Sequence, residues 1–121
     1  MADFHETGKK GEQIAVKYLS GKGFHILEQN WRSGSNEIDI IAQQNDIIVI
    51  VEVKTRRTNY FGEPEEFVNK TKQKLLVKAA NTYVLKNNLE NEVRFDIVSV
   101  LFKGNEYAIN HIEDAFYPAI S

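Results

Sequence analysis

Cysteine is absent from all 121 residues, so disulfides and thiolate metal sites are excluded and a cytoplasmic setting is expected. Long apolar runs are missing too. The longest, Ile47 to Val51, falls far short of the ~20 residues that a membrane helix needs, so no membrane partner is expected. The opening Met-Ala-Asp-Phe-His-Glu lacks the basic-then-apolar layout of a signal peptide. The three histidines, His5, His25 and His111, show none of the spacing that marks a zinc site. Repeats, linkers and low-complexity stretches do not occur. What remains is a globular balance of apolar and charged residues, expected to form a single domain over residues 1–121.

An overall basic surplus is also lacking, since the formal net charge is −2. The charge is uneven, however. Residues 54–78 hold seven basic side chains (Lys54, Arg56, Arg57, Lys70, Lys72, Lys74, Lys78) against three acidic ones (Glu63, Glu65, Glu66). Such a stripe suits a phosphate track, and equally an ordinary solvated helix face.

Against this background, residues 36–56 stand out. Two β-type runs, Asn36 to Ala42 and Ile47 to Arg56, carry Glu37, Asp39, Glu52 and Lys54 inside otherwise apolar sequence. An unpaired buried charge costs several kcal/mol or loses its charge, so such residues point to function. Alternate residues of a strand share a face. Gln43-Gln44-Asn45-Asp46 suits a tight hairpin with Asn45-Asp46 at the turn, which sets Gln44 opposite Ile47. Asp39 then lies opposite Glu52, and Glu37 opposite Lys54. Facing Cβ atoms are roughly 4.5 to 5.5 Å apart, close enough for two carboxylates to share Mg²⁺ or Mn²⁺. A slip of one residue would separate them.

Around this hairpin the chain reads as follows. Residues 5–20 form a helix with Thr7 a candidate N-cap, and Gly21 and Gly23 stop it. Glu12 sits near Gly8 and Gly11, which would let a backbone or a phosphate approach. It is either a surface glutamate at a helix start or a further site carboxylate. Phe24 to Trp31 is a strand leading into a polar loop, Arg32 to Asn36. Trp31 is expected to anchor the core, with base stacking beside Arg32 left open. A long helix is expected from Pro64 or Glu65 to Asn87-Asn88, with Phe67, Val68, Leu75, Leu76, Ala79, Ala80, Tyr83 and Val84 on its apolar face. Val93 to Phe102 and Tyr107 to Ile112 are the last strands, and Phe116-Tyr117-Pro118 closes the chain without regular structure. The helix should return the fourth strand parallel to the central one, giving an α/β sandwich with a mixed sheet.

These residues together resemble the PD-(D/E)xK nuclease superfamily, through Asp39 on the second strand and Glu52-Val53-Lys54 on the third. More closely, Gly11-Glu12, Ala15, Tyr18-Leu19, Gly23-Phe24, Asn30, Arg32, Glu37 to Ala42, Val51 to Lys54 and Arg56 resemble the bacterial YraN-like family. That family is itself similar to archaeal Holliday junction resolvases. Gly62, Lys70, Ala79, Ala80, Tyr83 and Arg94-Phe95-Asp96 extend the match over nearly the whole chain. Asn36 departs from it, standing where such proteins usually have glycine. Asn tolerates left-handed backbone angles, so the turn should survive.

The resemblance implies a restriction-endonuclease-like α-β-β-β-α-β core with a mixed central sheet flanked by helices. It implies a Mg²⁺- or Mn²⁺-dependent endonuclease acting on structured or branched DNA. Asp39 and Glu52 would be metal ligands with the Val53 carbonyl, Lys54 would be catalytic, and Glu12 would join them. On the residues' own chemistry, Arg56, Arg57, Lys70 and Lys74 are the candidate nucleic-acid contacts. Two other readings stay open: a catalytically inactive nucleic-acid-binding module, and a structural or protein-interaction domain. Symmetric cutting of a junction would need a homodimer, to which Tyr60 and Phe61 could contribute.

Overall fold

The computed structural model describes residues 4–57 and 68–118, with side chains from Thr7 onward. Elements follow in the order α1 (Phe4–Gly21), β1 (His25–Ser33), β2 (Asn36–Gln44), β3 (Ile47–Arg57), α2 (Lys70–Lys86), β4 (Val93–Lys103) and β5 (Glu106–Phe116). The five strands form one mixed sheet in sequence order. Neighbours are antiparallel except β3 and β4, which α2 connects in parallel. A parallel pair needs such a crossover, and the expected α/β architecture follows from it. Among the described residues no helix is long and apolar enough to cross a membrane.

Alternation along Ile47–Val53 supplies both faces of the sheet. Ile48 and Ile50 pack with Ile41, Phe95, Ile97 and the buried side of α2, namely Leu76, Ala79, Ala80 and Tyr83. Val49 and Val51 face the other way, against Ala15 and Leu19 of α1 with Ile40, Val98 and Val100. Trp31 meets Tyr83 edge-on at 5.2 Å, so it anchors β1 to α2. Base stacking is not its setting.

Several local expectations change. Thr7 is buried inside α1 and accepts a hydrogen bond from Arg57 Nε at 3.2 Å, so it is not an N-cap. Asn69 caps α2 instead: it is extended (ψ 164°) and its side chain accepts from Lys72 N. The helix therefore starts at Lys70 and is not continuous from Pro64 or Glu65; those two residues, with Tyr60, Phe61 and Phe67, lie outside the described residues. The polar loop after β1 shrinks to Gly34-Ser35, because strand pairing extends to Ser33 opposite Asn36. Asn36 is not left-handed, whereas Gly34 takes φ 61° and Asn45, at the predicted hairpin turn, φ 54°. β5 continues through Phe116, which stacks on Phe95 at 4.9 Å.

The chain also buries a charge where none was singled out. Asp96 on β4 accepts from both Arg94 Nε (2.8 Å) and Nη2 (2.9 Å) and from Asp114 N (3.0 Å), and meets His111 Nε2 at 2.8 Å. His111 Nδ1 lies 3.1 Å from Tyr18 Oη, which ties α1 to the edge of the sheet. Burial pushes the Asp96 carboxyl up, but the His111, Arg94 and Asp114 bonds outweigh it and hold the group below its ordinary value.

Gly11 fixes how closely α1 sits on β3. A Cβ there would stand 2.9 Å from Thr55 Cγ2 and in conflict with Thr55 Oγ1, whereas a Cβ on Gly8 would meet nothing within 4 Å. The two glycines should respond oppositely to alanine. In urea unfolding, Gly8→Ala is expected to stabilise by up to about 1 kcal/mol through helix propensity. Gly11→Ala is expected to destabilise by about 1–3 kcal/mol through overpacking, with partial recovery when Thr55→Ala is added.

Candidate metal centre

The β2–β3 ladder runs from Gln44–Ile47 to Ile40–Val51, in the register the turn predicts. One position further, where backbone pairing ends, Asp39 and Glu52 face each other. A freed N–H needs an acceptor, and Asp39 Oδ2 takes that of Val53 at 2.9 Å. Strand register thus fixes the Asp39 carboxylate, and the bond fixes its orientation.

The Asp39 and Glu52 carboxyl groups are close enough to act on one another. Two carboxylates this close cannot both ionise cheaply. Burial, then repulsion from Asp39, pushes the Glu52 carboxyl up to about 7, against pulls from Lys72 and Lys54. Asp39 is also raised, chiefly by burial, with the Val53 bond and Lys72 opposing. Burial and mutual repulsion thus disfavour full ionisation of the pair.

Two lysines approach. Lys54 is half-buried on β3 and its charge acts on Glu52. Lys72, from the first turn of α2, brings Nζ to 3.8 Å from Glu52 Oε2 and acts on both carboxyls. Lys72 was one of seven basic residues in the stripe and carried no separate role there. Asn69 as N-cap was the signal that would have found it, since the cap places Lys72 in the first turn beside the strand ends. Lys70 and Lys74, the predicted phosphate contacts, are exposed on α2, and Arg56 and Arg57 are exposed at the end of β3.

From the opposite side α1 brings Glu12. With its amide nitrogen turned toward the acids, Asn30 donates to Glu12 Oε2 (3.3 Å) and Glu37 Oε1 (3.0 Å). Asn30 is left-handed, φ 51°, and this kink in β1 aims the amide there. The Glu12 carboxyl is raised by burial first and by the Asp39 charge second, while the Asn30 bond opposes both. Glu37 does not join Lys54 as the continued register would have it. The ladder has ended, and Glu37 pairs with Arg32 at 3.3 Å.

A divalent cation suits these groups. The donors are carboxylate oxygens, hard ligands matched to Mg²⁺ or Mn²⁺, and the repulsion between them is what a cation would relieve. Among the described residues no three acidic or histidine side chains already converge as a closed cage. Mg²⁺ does not require one, because it is held by one or two carboxylates plus water and phosphate. Asp39 and Glu52 would be the holders, with Val53 adjacent and Glu12 across the opening.

Residues 11–100, which include Glu12, Asp39, Glu52 and Lys72, match the family described as uncharacterised protein family UPF0102. The chain belongs to that family. A UPF0102 protein of Flavobacterium psychrophilum is 52% identical over 117 residues, covering 97% of this chain and 98% of that protein. One from Thermodesulfovibrio yellowstonii is 47% identical over 112 residues (93% and 96%), and one from Bacteroides thetaiotaomicron 44% over 120 residues (99% of each).

The raised Glu52 carboxyl makes a signed prediction. Folding favours its protonated form, so its stabilising effect is complete below the ordinary value of 4.5 and is lost as pH rises through about 7. In chelator, Glu52→Gln should therefore be more stable than the parent at pH 8, by on the order of 1–3 kcal/mol. The difference should vanish near pH 4. Equal stability at both pH values would contradict a raised Glu52 carboxyl.

Proposed function

We propose that this protein is a divalent-metal-dependent endonuclease that hydrolyses phosphodiester bonds in branched or otherwise structured DNA. The observation that carries this reading is the Asp39–Glu52 pair, set opposite one another at the open end of the hairpin with Lys72 and Lys54 beside it. The resemblance to PD-(D/E)xK nucleases, in Asp39 and Glu52-Val53-Lys54, agrees with it.

When bound, a divalent cation lowers the pKa of water and offsets charge on a phosphate. Asp39 is held for that task by the Val53 N–H and cannot swing away without breaking the bond. Glu52 must give up its proton, which at about 7 it does readily under physiological conditions. Lys54 and Lys72 stand where negative charge develops on the reacting phosphate, and Lys72 is partly exposed and so reachable by it. Glu12 and Asn30 close the side toward α1, where Glu12 can accept a proton from attacking water. Arg56, Arg57, Lys70 and Lys74 would bind flanking phosphates. Such contacts make affinity fall steeply with salt.

The test is incubation with a four-way junction, blunt duplex and single-stranded DNA in Mg²⁺ or Mn²⁺. Cleavage is expected for the parent and should be abolished by Asp39→Ala and by Glu52→Ala. Lys72→Ala should lower the rate by about 10²- to 10³-fold, as removal of one charge-stabilising donor does elsewhere. Binding without cleavage in any metal would favour a nucleic-acid-binding module, and neither would leave a structural domain.

A further inference from the structure

One row of the sheet lies apart from the carboxylates and combines cations with an open aromatic ring. Arg57 of β3 is in register with Phe102 of β4, and Phe102 with Tyr107 of β5. Residues in register share a face, here the one covered by α1, since Phe102 packs with Ala15 and Leu19. The Arg57 guanidinium lies over the Phe102 ring at 6.0 Å, and Lys10 Nζ of α1 reaches the same ring at 5.8 Å. Thr7 accepts from Arg57 Nε and so holds the guanidinium in place. Tyr107 meets Phe102 edge-on at 6.0 Å and is itself 52% exposed. Lys10 and Arg57 are exposed as well.

Phe102 is already buried, and Tyr107 leaves half of a large aromatic surface in water beside two cations. Arg57 stands four positions along β3 from Val53, which holds Asp39, about 13 Å of strand. The row and the Glu52 carboxyl lie on opposite faces of β3, and α1, which carries both Lys10 and Glu12, is the element that the two places share.

We propose that Tyr107, Arg57 and Lys10 form a subsite for an unpaired nucleic-acid strand running away from the carboxylates. A base stacks on the Tyr107 ring, and its flanking phosphates meet Arg57 and Lys10. An unpaired strand is favoured over duplex because stacking on a side chain needs an exposed base face, which paired and stacked bases do not offer. The inference deepens the nuclease reading and rests on it for the placement of the scissile bond. The binding itself does not depend on catalysis. The substrate class becomes DNA with an unpaired arm next to the cleavage point, such as an overhang or a flap.

Fluorescence anisotropy in chelator, with a single-stranded oligonucleotide, an overhang duplex and a blunt duplex, tests it without cleavage. Tyr107→Leu should weaken single-strand and overhang binding about tenfold and leave blunt duplex unchanged, whereas Tyr107→Phe should bind like the parent. Arg57→Gln and Lys10→Gln should each lower the salt slope of single-strand binding by about 0.7. Parent-like binding of the overhang by Tyr107→Leu would overturn the proposal, as would equal loss on all three substrates. If no DNA is cut in any metal while the Tyr107 discrimination holds, the nuclease reading fails and the subsite stands.

Discussion

The register of the β2–β3 hairpin is the constraint on which the rest depends. Asn45 takes a left-handed conformation, Gln44 pairs with Ile47, and every later pairing follows from that turn. The consequence appears where pairing stops. Asp39 and Glu52 arrive opposite one another, and the Val53 N–H, with no strand carbonyl to bond, takes the Asp39 side chain instead. A shift by one residue would send one carboxyl to the α1 face and the other to the α2 face. The helices then complete the site from either side, α1 through Glu12 and α2 through Lys72.

The chain buries carboxylates in two contrasting ways. Asp96 receives two bonds from Arg94 and one from the Asp114 N–H, has His111 beside it, and keeps its charge. Its oxygens are fully engaged, and its role is to hold α1, β4 and β5 together. Asp39 and Glu52 have mainly each other, with Lys72 at 3.8 Å, and both are raised. Burial is common to both places, so it does not explain the difference. The difference lies in partners: Arg94 and His111 meet Asp96, whereas the Asp39–Glu52 pair has less positive charge at hand. Thermodynamically the pair costs stability above neutrality, as functional sites commonly do.

Much of this was legible in sequence because it rests on period-two alternation and turn chemistry. The hairpin, its register and the facing of Asp39 and Glu52 followed from Asn45-Asp46 and the Ile/Val pattern. The parallel return of β4 followed from the length of the intervening helix. What escaped depended on local caps and long-range geometry. Asn69 was not read as an N-cap, so the helix was begun too early and Lys72 was not placed at the site. Asp96 sits in an apolar strand as Asp39 does, and the same rule would have marked it. Its partners His111 and Tyr18 come from distant segments, which no spacing announces. Glu37 was paired with Lys54 by continuing a ladder that ends sooner, because Asp39 intervenes in the strand bonding.

Calorimetric titration of the intact protein with Mn²⁺ tests the central claim most directly. The account predicts binding that tightens as pH rises through about 7, with release of the Glu52 proton. It also predicts that Asp39→Ala and Glu52→Ala each abolish the binding heat while the fold is retained. No binding heat for the parent at any pH, with or without DNA, would contradict it.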